Sequence, residues 1–192
     1  MTRDRYGQWR KEIAAELVMA YTHYHIWKQL WPSTKQLATA LNRYIAFFQP
    51  TRQAHVHQFF MSVVKITDKR KDSKSLWRLL DKAEIDPSLV SQNPISVEDL
   101  RKQIAEHDDV LKKIRMHRNK RLAHIDESHS WPDSVIWSKN PVTVGEAESL
   151  LKDLEEVFNK LSSAHDGHVW SLRISRLTDA SRLLEELHQK LG

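Results

Sequence analysis

Apolar residues recur at steps of three and four along most of the chain, the spacing that places side chains on one face of an α-helix. The first such pattern covers about residues 5–31 and ends before Pro32, because proline disfavours helix in the residue that precedes it. A second helix is predicted at about residues 34–48. A third is predicted to begin at Pro50, since proline is tolerated at the first position of a helix. The inward residues of the second helix are predicted to be Leu37, Leu41, Tyr44, Ile45 and Phe48.

Two strings further along the chain have the form of a capping box, in which one side chain accepts from a first-turn amide and an acidic residue reaches back. They are Ser96-Val-Glu-Asp99 and Thr143-Val-Gly-Glu146. The first is predicted to start one long helix that continues to about residue 126, and the second starts another helix.

A short amphipathic helix is predicted to open at Ser73 or Ser75, and a last helix to lie in the tail of the chain. Leu184 and Leu187 interrupt an otherwise charged pattern in that last helix. We therefore expect them to pack on the body of the protein or on a second subunit.

Composition supports a helical interpretation. A chain of 192 residues is long enough for a hydrophobic core, and we expect one domain over residues 1–192. Only 4 Gly and 6 Pro, with many Leu, Ala, Lys and Glu, favour an all-α fold over sheets. The absence of cysteine excludes a disulfide framework and a thiolate metal site, and it fits a reducing cytoplasm. No apolar run is long enough to span a membrane, and the polar amino terminus is unlike a signal peptide.

The formal charge of +5 permits an anionic partner but does not require one. The basic run Lys69-Arg70-Lys71 could contact nucleic acid, although a solvated link between two helices is the favoured interpretation. The histidine pairs His23/His25 and His55/His57 are spaced two apart, whereas chelation by one helix needs a spacing of four. We therefore predict neither a metal nor a cofactor.

The long helix after Ser96 carries the most informative pattern. Its apolar face should be buried, and one polar residue, Arg118, falls in the gap of that face. A buried guanidinium is costly unless it meets an anion or a solvated cleft. From spacing alone, an ion pair with a carboxylate on a neighbouring helix is favoured. The alternative is a reactive site shared with His124, which can transfer protons near neutral pH. The apolar residues predicted to be buried are Leu111, Ile114, Leu122 and Ile125.

The string around Arg118 resembles a known signature. Arg118-Asn119, four further residues and His124 match the Arg-Asn-(four to six)-His motif of the HEPN superfamily, and the continuation Ile125-Asp126 looks most like its abortive-infection, AbiU-like branch. Residues 59–80 resemble the same branch. The resemblance implies a HEPN-like helical bundle with additional short helices. Many members of that superfamily are metal-independent ribonucleases.

In such an enzyme a neutral His124 would accept the proton of the ribose 2′-hydroxyl, and Arg118 would stabilise the charge that builds on the phosphoryl oxygens. The products would be a 2′,3′-cyclic phosphate and a 5′-hydroxyl, and DNA would be spared because it lacks the attacking hydroxyl. Asp126 stands where some HEPN toxins carry a modified tyrosine, and it could orient His124. The residues predicted to support the site or bind RNA are His117, Asn119, Lys120, Arg121 and Asp126.

Arg118 and His124 are six residues apart, which places them about 120° from a common direction on an ideal helix. HEPN proteins commonly pair two protomers so that both motifs line one cleft, and the angle gives a physical motive for such a homodimer. The resemblance further implies a toxin or phage-defence role, with an antitoxin or a defence-system protein as a possible partner. The alternative is a catalytically silent HEPN module that binds nucleotide, RNA or protein.

Overall fold

The computed structural model describes residues 1–31, 34–119, 138–172 and 178–191. Within these ranges the chain forms eight α-helices, one short 3-10 helix at Pro87–Val90 and no strand, which confirms the all-α prediction. The α-helices are α1 (Arg3–Gln29), α2 (Lys35–Arg43), α3 (Ile45–Ile66), α4 (Leu76–Ile85), α5 (Val97–Ala105), α6 (Asp108–Arg118), α7 (Val144–Asp166) and α8 (Asp179–Leu191).

Four helices form a bundle in which α1 packs on α3 and α7, and α6 packs on α3 and α7. Polar contacts show that α1 runs antiparallel to α3, because Glu16 pairs with Lys65 while Arg52, near the start of α3, stacks on Trp31 just beyond α1. The core between the helices is rich in large side chains with almost no exposure. These are Tyr6, Ile13, Leu17, Tyr24, Phe59, Phe60 and Phe158, together with Leu150, Leu154 and Leu161 of α7.

The region around Pro50 differs from the sequence-based prediction. The second helix ends at Arg43, and α3 begins at Ile45, so that Pro50 lies inside α3 rather than at its first position. Because proline has no N–H, it cannot donate to the carbonyl four residues earlier, but it can still occupy an early turn if the surroundings hold the helix. Phe48 helps to hold this turn in the helix, since it is 3% exposed and packs with Leu41 in a second apolar cluster.

The break before α3 also changes which residues face inward. Tyr44 is the residue between α2 and α3, and its backbone angles (φ −116°, ψ 36°) are not helical. Tyr44 and Ile45 are 43% and 41% exposed, so their predicted inward positions are wrong. The predicted burial of Leu41 and Phe48 is confirmed at 5% and 3% exposure.

The predicted long helix from Ser96 is in fact two helices, because the chain turns at Glu106 and His107. His107 is 8% exposed, and its Nε2 lies 2.6 Å from Oδ2 of Asp153 on α7. This contact holds the non-helical His107 at the start of α6. The first turn of α6 then carries Asp108 and Asp109, and its last turn is basic. Each helix thus complements its own dipole.

The two predicted capping boxes differ in completeness. Thr143 and Glu146 make both reciprocal bonds at the start of α7. At α5 the Ser96 hydroxyl accepts from the Asp99 amide, and in the described part of the chain no return bond from the Asp99 side chain completes the box.

The last helix packs on the body of the same chain. Leu184 is fully buried in the second apolar cluster, against Leu30, Leu41 and Phe48, and Leu187 packs at its edge. The open choice between body and second subunit is thereby resolved for Leu184. Among the described helices, none has an apolar stretch long enough to cross a membrane.

Candidate functional site

The predicted motif begins at the last turn of α6. Leu111 and Ile114 are 1% and 0% exposed, as predicted for the apolar face of this helix. Arg118 and the residues on either side of it, His117 and Asn119, lie in the described part. The remaining predictions for this motif lie outside the described residues; they concern Lys120, Arg121, Leu122, His124, Ile125 and Asp126.

Arg118 lines a cleft of about 670 Å³ between the C-terminal ends of α3 and α6. The cleft floor includes two apolar side chains of α3, and its walls carry five cationic side chains and one carboxylate. The lining residues are Met61, Val64, Lys65, Asp68, Lys69, Arg70, Arg115 and Arg118.

The half-buried Arg118 has unused hydrogen-bonding capacity. Its Nε is shielded from solvent and has no hydrogen-bond partner among the described residues. Asp68 is the carboxylate that shares the cleft, and the charge of Arg118 acts on it without a direct ion pair between them in the described structure. Among the described residues, the ion pair with a carboxylate on a neighbouring helix that spacing alone favoured is therefore not found.

Asp68 remains ionised because its surroundings favour the anion. Burial raises its pKa, but hydrogen bonds from Arg70 and the charges of Arg70 and Arg118 outweigh burial, so the net pKa lies below its usual value. The Asp68 Oδ2 accepts from Nε of Arg70 at 2.8 Å, and Oδ1 accepts from the Arg70 amide at 3.0 Å. The Asp68 carboxylate thus orients the Arg70 guanidinium at the rim of the cleft.

Two other cations are positioned by neighbouring groups. Arg115 donates from Nη2 to the backbone carbonyl of Thr67 at 3.3 Å, which joins the end of α6 to the end of α3. The ammonium of Lys69 lies 4.3 Å from the ring centroid of Trp77 and 3.9 Å from Oδ1 of Asp108. Both contacts reduce the freedom of side chains that would otherwise move through solvent.

His117 occupies a different environment from Arg118. It is 2% exposed, its ring lies 5.2 Å from that of Phe60, and its Nε2 donates to the backbone carbonyl of Asn140 at 2.8 Å. Asn119 is exposed, and its backbone N–H donates to backbone carbonyls in the last turn of α6. The structure therefore places His117 in the bundle interior and Asn119 on the surface at the helix end.

A histidine pair that helical spacing did not reveal lies between α1 and α3. The Nδ1 atoms of His23 and His55 are 2.8 Å apart, and burial is the main cause that lowers the pKa of each ring. Across the described part of the chain, no group of three His, Asp or Glu side chains is arranged to hold a metal. The pair was missed because its members come from different helices, whereas the sequence argument considered each helix alone.

The sequence argument missed three charged cleft residues, Lys65, Asp68 and Arg115, and gave too little weight to two others. Arg115 stands three positions before Arg118, which is the spacing of neighbours on a helix face, so a search for cations around Arg118 would have found it. Lys69 and Arg70 were visible as a basic run but were interpreted as a solvated link. Asp68 gave no signal, because Arg118, whose charge acts on it across the cleft, is 50 residues further along the chain.

Comparison with known proteins identifies one family. No curated protein and no solved structure matches the chain. The profile of one family, AbiU2 of the HEPN superfamily, matches residues 3–188, which include all four bundle helices and both sides of the cleft. With a helical bundle, an Arg118 that lines a cationic cleft and a match over almost its whole length, the chain belongs to the AbiU2 family of HEPN proteins.

Proposed function

We propose that this protein is a metal-independent endoribonuclease of the toxin or phage-defence type. One observation carries the proposal: Arg118 lines a cationic cleft and keeps a buried Nε without a hydrogen-bond partner among the described residues. A guanidinium held this way is suited to a phosphate oxygen, which it can contact with two parallel hydrogen bonds. Membership of the AbiU2 family supports an abortive-infection role.

In the proposed reaction His124 takes the proton from the 2′-hydroxyl of the ribose. The 2′-oxygen then attacks the adjacent phosphorus, the bond to the 5′-oxygen of the next nucleotide breaks, and that oxygen receives a proton from water, while the protonated His124 returns its proton to the solvent. Arg118 stabilises the negative charge on the non-bridging oxygens during the attack. Asp126 orients His124, while Asn119, Lys120 and Arg121 contact the RNA near the motif.

The same proposal includes a homodimer in which two α6 ends approach each other. On an ideal helix Arg118 and His124 would point about 120° from a common direction, so a second protomer could bring the His124 of one chain towards the Arg118 of the other. His117 takes part indirectly, because its bond to Asn140 fixes the end of α6 from inside the bundle. An antitoxin or defence-system partner would bind this assembly.

The proposal is tested by incubating purified protein with single-stranded RNA in EDTA and analysing the ends of the fragments. We expect cleavage that yields 2′,3′-cyclic phosphates, and no cleavage of DNA of the same sequence. His124→Ala and Arg118→Ala should each lower the rate a hundredfold or more. Arg118→Lys should restore only part of the activity, because an ammonium cannot make the bidentate contact.

Equal rates for the wild type and His124→Ala would contradict the assignment. The alternative, a catalytically silent module, has support from the same cleft, since its cations would bind an anion whether or not cleavage follows. Tight binding of RNA without any cleavage by the wild type would favour that alternative.

A further inference from the structure

The cationic cleft contains more positive charge than a single phosphate needs. Its cations come from three segments: Lys65 at the end of α3, Lys69 and Arg70 in the link to α4, and Arg115 and Arg118 on α6. A phosphodiester carries one negative charge, and the proposed reaction places it at Arg118. Lys65 already pairs with Glu16, so the cations that remain for a different part of the same ligand are Lys69, Arg70 and Arg115.

The link between α3 and α4 is held in a defined conformation. Thr67 and Ser75, at its two ends, are fully buried, and the Thr67 hydroxyl donates to the Val63 carbonyl at 2.8 Å. The Ser73 hydroxyl donates to the Arg70 carbonyl, also at 2.8 Å. Two adjacent cations, Lys69 and Arg70, thus project from a restrained segment, which lowers the entropy cost of binding a ligand there.

Arg70 is oriented in a way that leaves it capable of binding an anion. In the described structure Asp68 contacts its side chain through Nε alone, and the two terminal nitrogens remain for a ligand. Its side chain is 75% exposed, so an incoming phosphate can reach it. Arg115 has no carboxylate partner within the described ranges, and it donates to the neutral Thr67 carbonyl.

The size and floor of the cleft indicate a ligand larger than a free anion. Its volume of about 670 Å³ falls in the range of sites for small organic ligands. Met61 and Val64 provide an apolar floor on which a ribose or base can lie beside the cations. A polyanion with an apolar face at each repeat fits these properties, and a single RNA strand has that chemistry.

We propose that Lys69, Arg70 and Arg115 form a second phosphate subsite, which binds the RNA backbone next to the phosphate held by Arg118. Asp68 acts as a positioning residue that orients Arg70. The proposal rests on the proposed function in one respect, the identity of the polyanion as RNA. The α3–α4 link would thus bind the RNA backbone in addition to the motif at the end of α6.

The test measures the binding of a fluorescently labelled, single-stranded 2′-O-methyl RNA by anisotropy at several salt concentrations. This probe lacks the attacking hydroxyl, so binding is measured without cleavage. The double variant Lys69→Ala/Arg70→Ala should bind about tenfold more weakly at low salt. The slope of log Kd against log salt should fall by about 0.7, since the variant loses the one phosphate contact of this subsite and each contact on a single strand is worth about 0.7.

A matched control removes two lysines that do not line the cleft. Lys102 and Lys160 are exposed and pair with Glu98 and Glu156 one helical turn away, so Lys102→Ala/Lys160→Ala makes the same change in net charge. We expect its affinity and salt slope to stay within about twofold of the wild type. Thermal unfolding of both double variants shows whether either has lost its fold, and Lys69→Gln/Arg70→Gln provides a second, less disruptive cleft variant.

The outcomes separate this proposal from the proposed function. If the wild type binds the probe through Lys69 and Arg70 but cleaves no RNA, the subsite is supported and the ribonuclease assignment fails. If the wild type cleaves RNA but folded cleft variants bind as the control does, the subsite is overturned. Equal losses in cleft and control variants also overturn it, because they would reflect net charge alone.

Discussion

Two arginines of this chain occupy opposite kinds of environment. Arg10 is 2% exposed and makes two bonds to the carboxylate of Asp166, one of them at 3.0 Å, and a further bond to the Ser162 hydroxyl at 2.6 Å. Arg118 is half-buried and has no ion pair among the described residues. Arg10 therefore stabilises the fold, whereas Arg118 can bind a ligand.

This contrast predicts different effects on stability. Arg10→Ala should lower the free energy of unfolding by roughly 2–3 kcal/mol, because it removes charge-assisted bonds between α1 and the end of α7. Arg118→Ala should change it by less than about 1 kcal/mol, as at positions away from structural networks. Urea unfolding of the two variants measures both values. A loss at Arg118 as large as that at Arg10 would mean that Arg118 is a structural ion-pair partner.

The sequence identified Arg118 as an exception in an apolar stripe, and the burial of Leu111 and Ile114 confirms the part of that stripe that lies in the described residues. It could not identify what surrounds Arg118, since the cleft depends on how α3 and α6 pack. Asp68 and Arg118 become neighbours through tertiary structure, and no local pattern encodes their distance. His117 shows the same limit, because its bond to Asn140 crosses 23 residues.

At the scale of elements, the sequence predicted where most helices begin but not where continuous patterns break. The caps Thr34, Ser75, Ser96 and Thr143 are local signals, and each accepts a bond from an amide in the first turn of its helix. The break at His107 has no local signal, since it depends on Asp153, 46 residues away. The prediction that Pro50 begins a helix was wrong for a related reason, because its position inside α3 depends on the packing around Phe48.

The packing of α1 on α3 is predicted to depend on pH through the His23–His55 pair. With Nδ1 atoms 2.8 Å apart, one ring donates and the other accepts, so at least the accepting ring is neutral in this arrangement. The pKa of His23 is lowered from 6.5 by burial and by the charge of His55, and that of His55 is lowered by burial. The unfolded chain therefore binds more protons below pH 6.5.

The stability that the histidine pair contributes is fully present above the unfolded pKa of 6.5. It is lost as the pH falls through the lowered pKa values of the folded state. Urea unfolding between pH 7.5 and pH 5.5 should show decreasing stability, with a smaller decrease in His55→Gln. His165, whose pKa burial also lowers, should account for part of the remaining decrease. The exposed His168→Gln is the control, and a wild-type slope in His55→Gln would contradict the prediction.

For the molecule as a whole, the proposed dimer makes a prediction about shared sites. Sedimentation at tens of micromolar should give the mass of a dimer. His124→Ala and Arg118→Ala are each expected to be inactive, but in a mixed dimer one Arg118 and one His124 remain intact and can face each other. Mixing the two variants should therefore restore part of the ribonuclease activity.

Co-purification of two differently tagged variants shows whether mixed dimers have formed. Persistent inactivity in a sample that contains them would exclude a site composed of both chains. A monomer in sedimentation, together with full activity of the wild type, would place the whole reaction within one protomer.

The bond network between Arg10 and Asp166 also bears on how the protein is made. Its two ends are 156 residues apart in the chain, which takes roughly 10–30 s to synthesise at typical translation rates. During that interval α1 has emerged but α7, which covers one of its sides, does not yet exist. The bundle can close only after α7 has been synthesised. If ribonuclease activity requires the closed bundle, the nascent chain stays harmless to the messenger and ribosome that produce it until α7 has emerged.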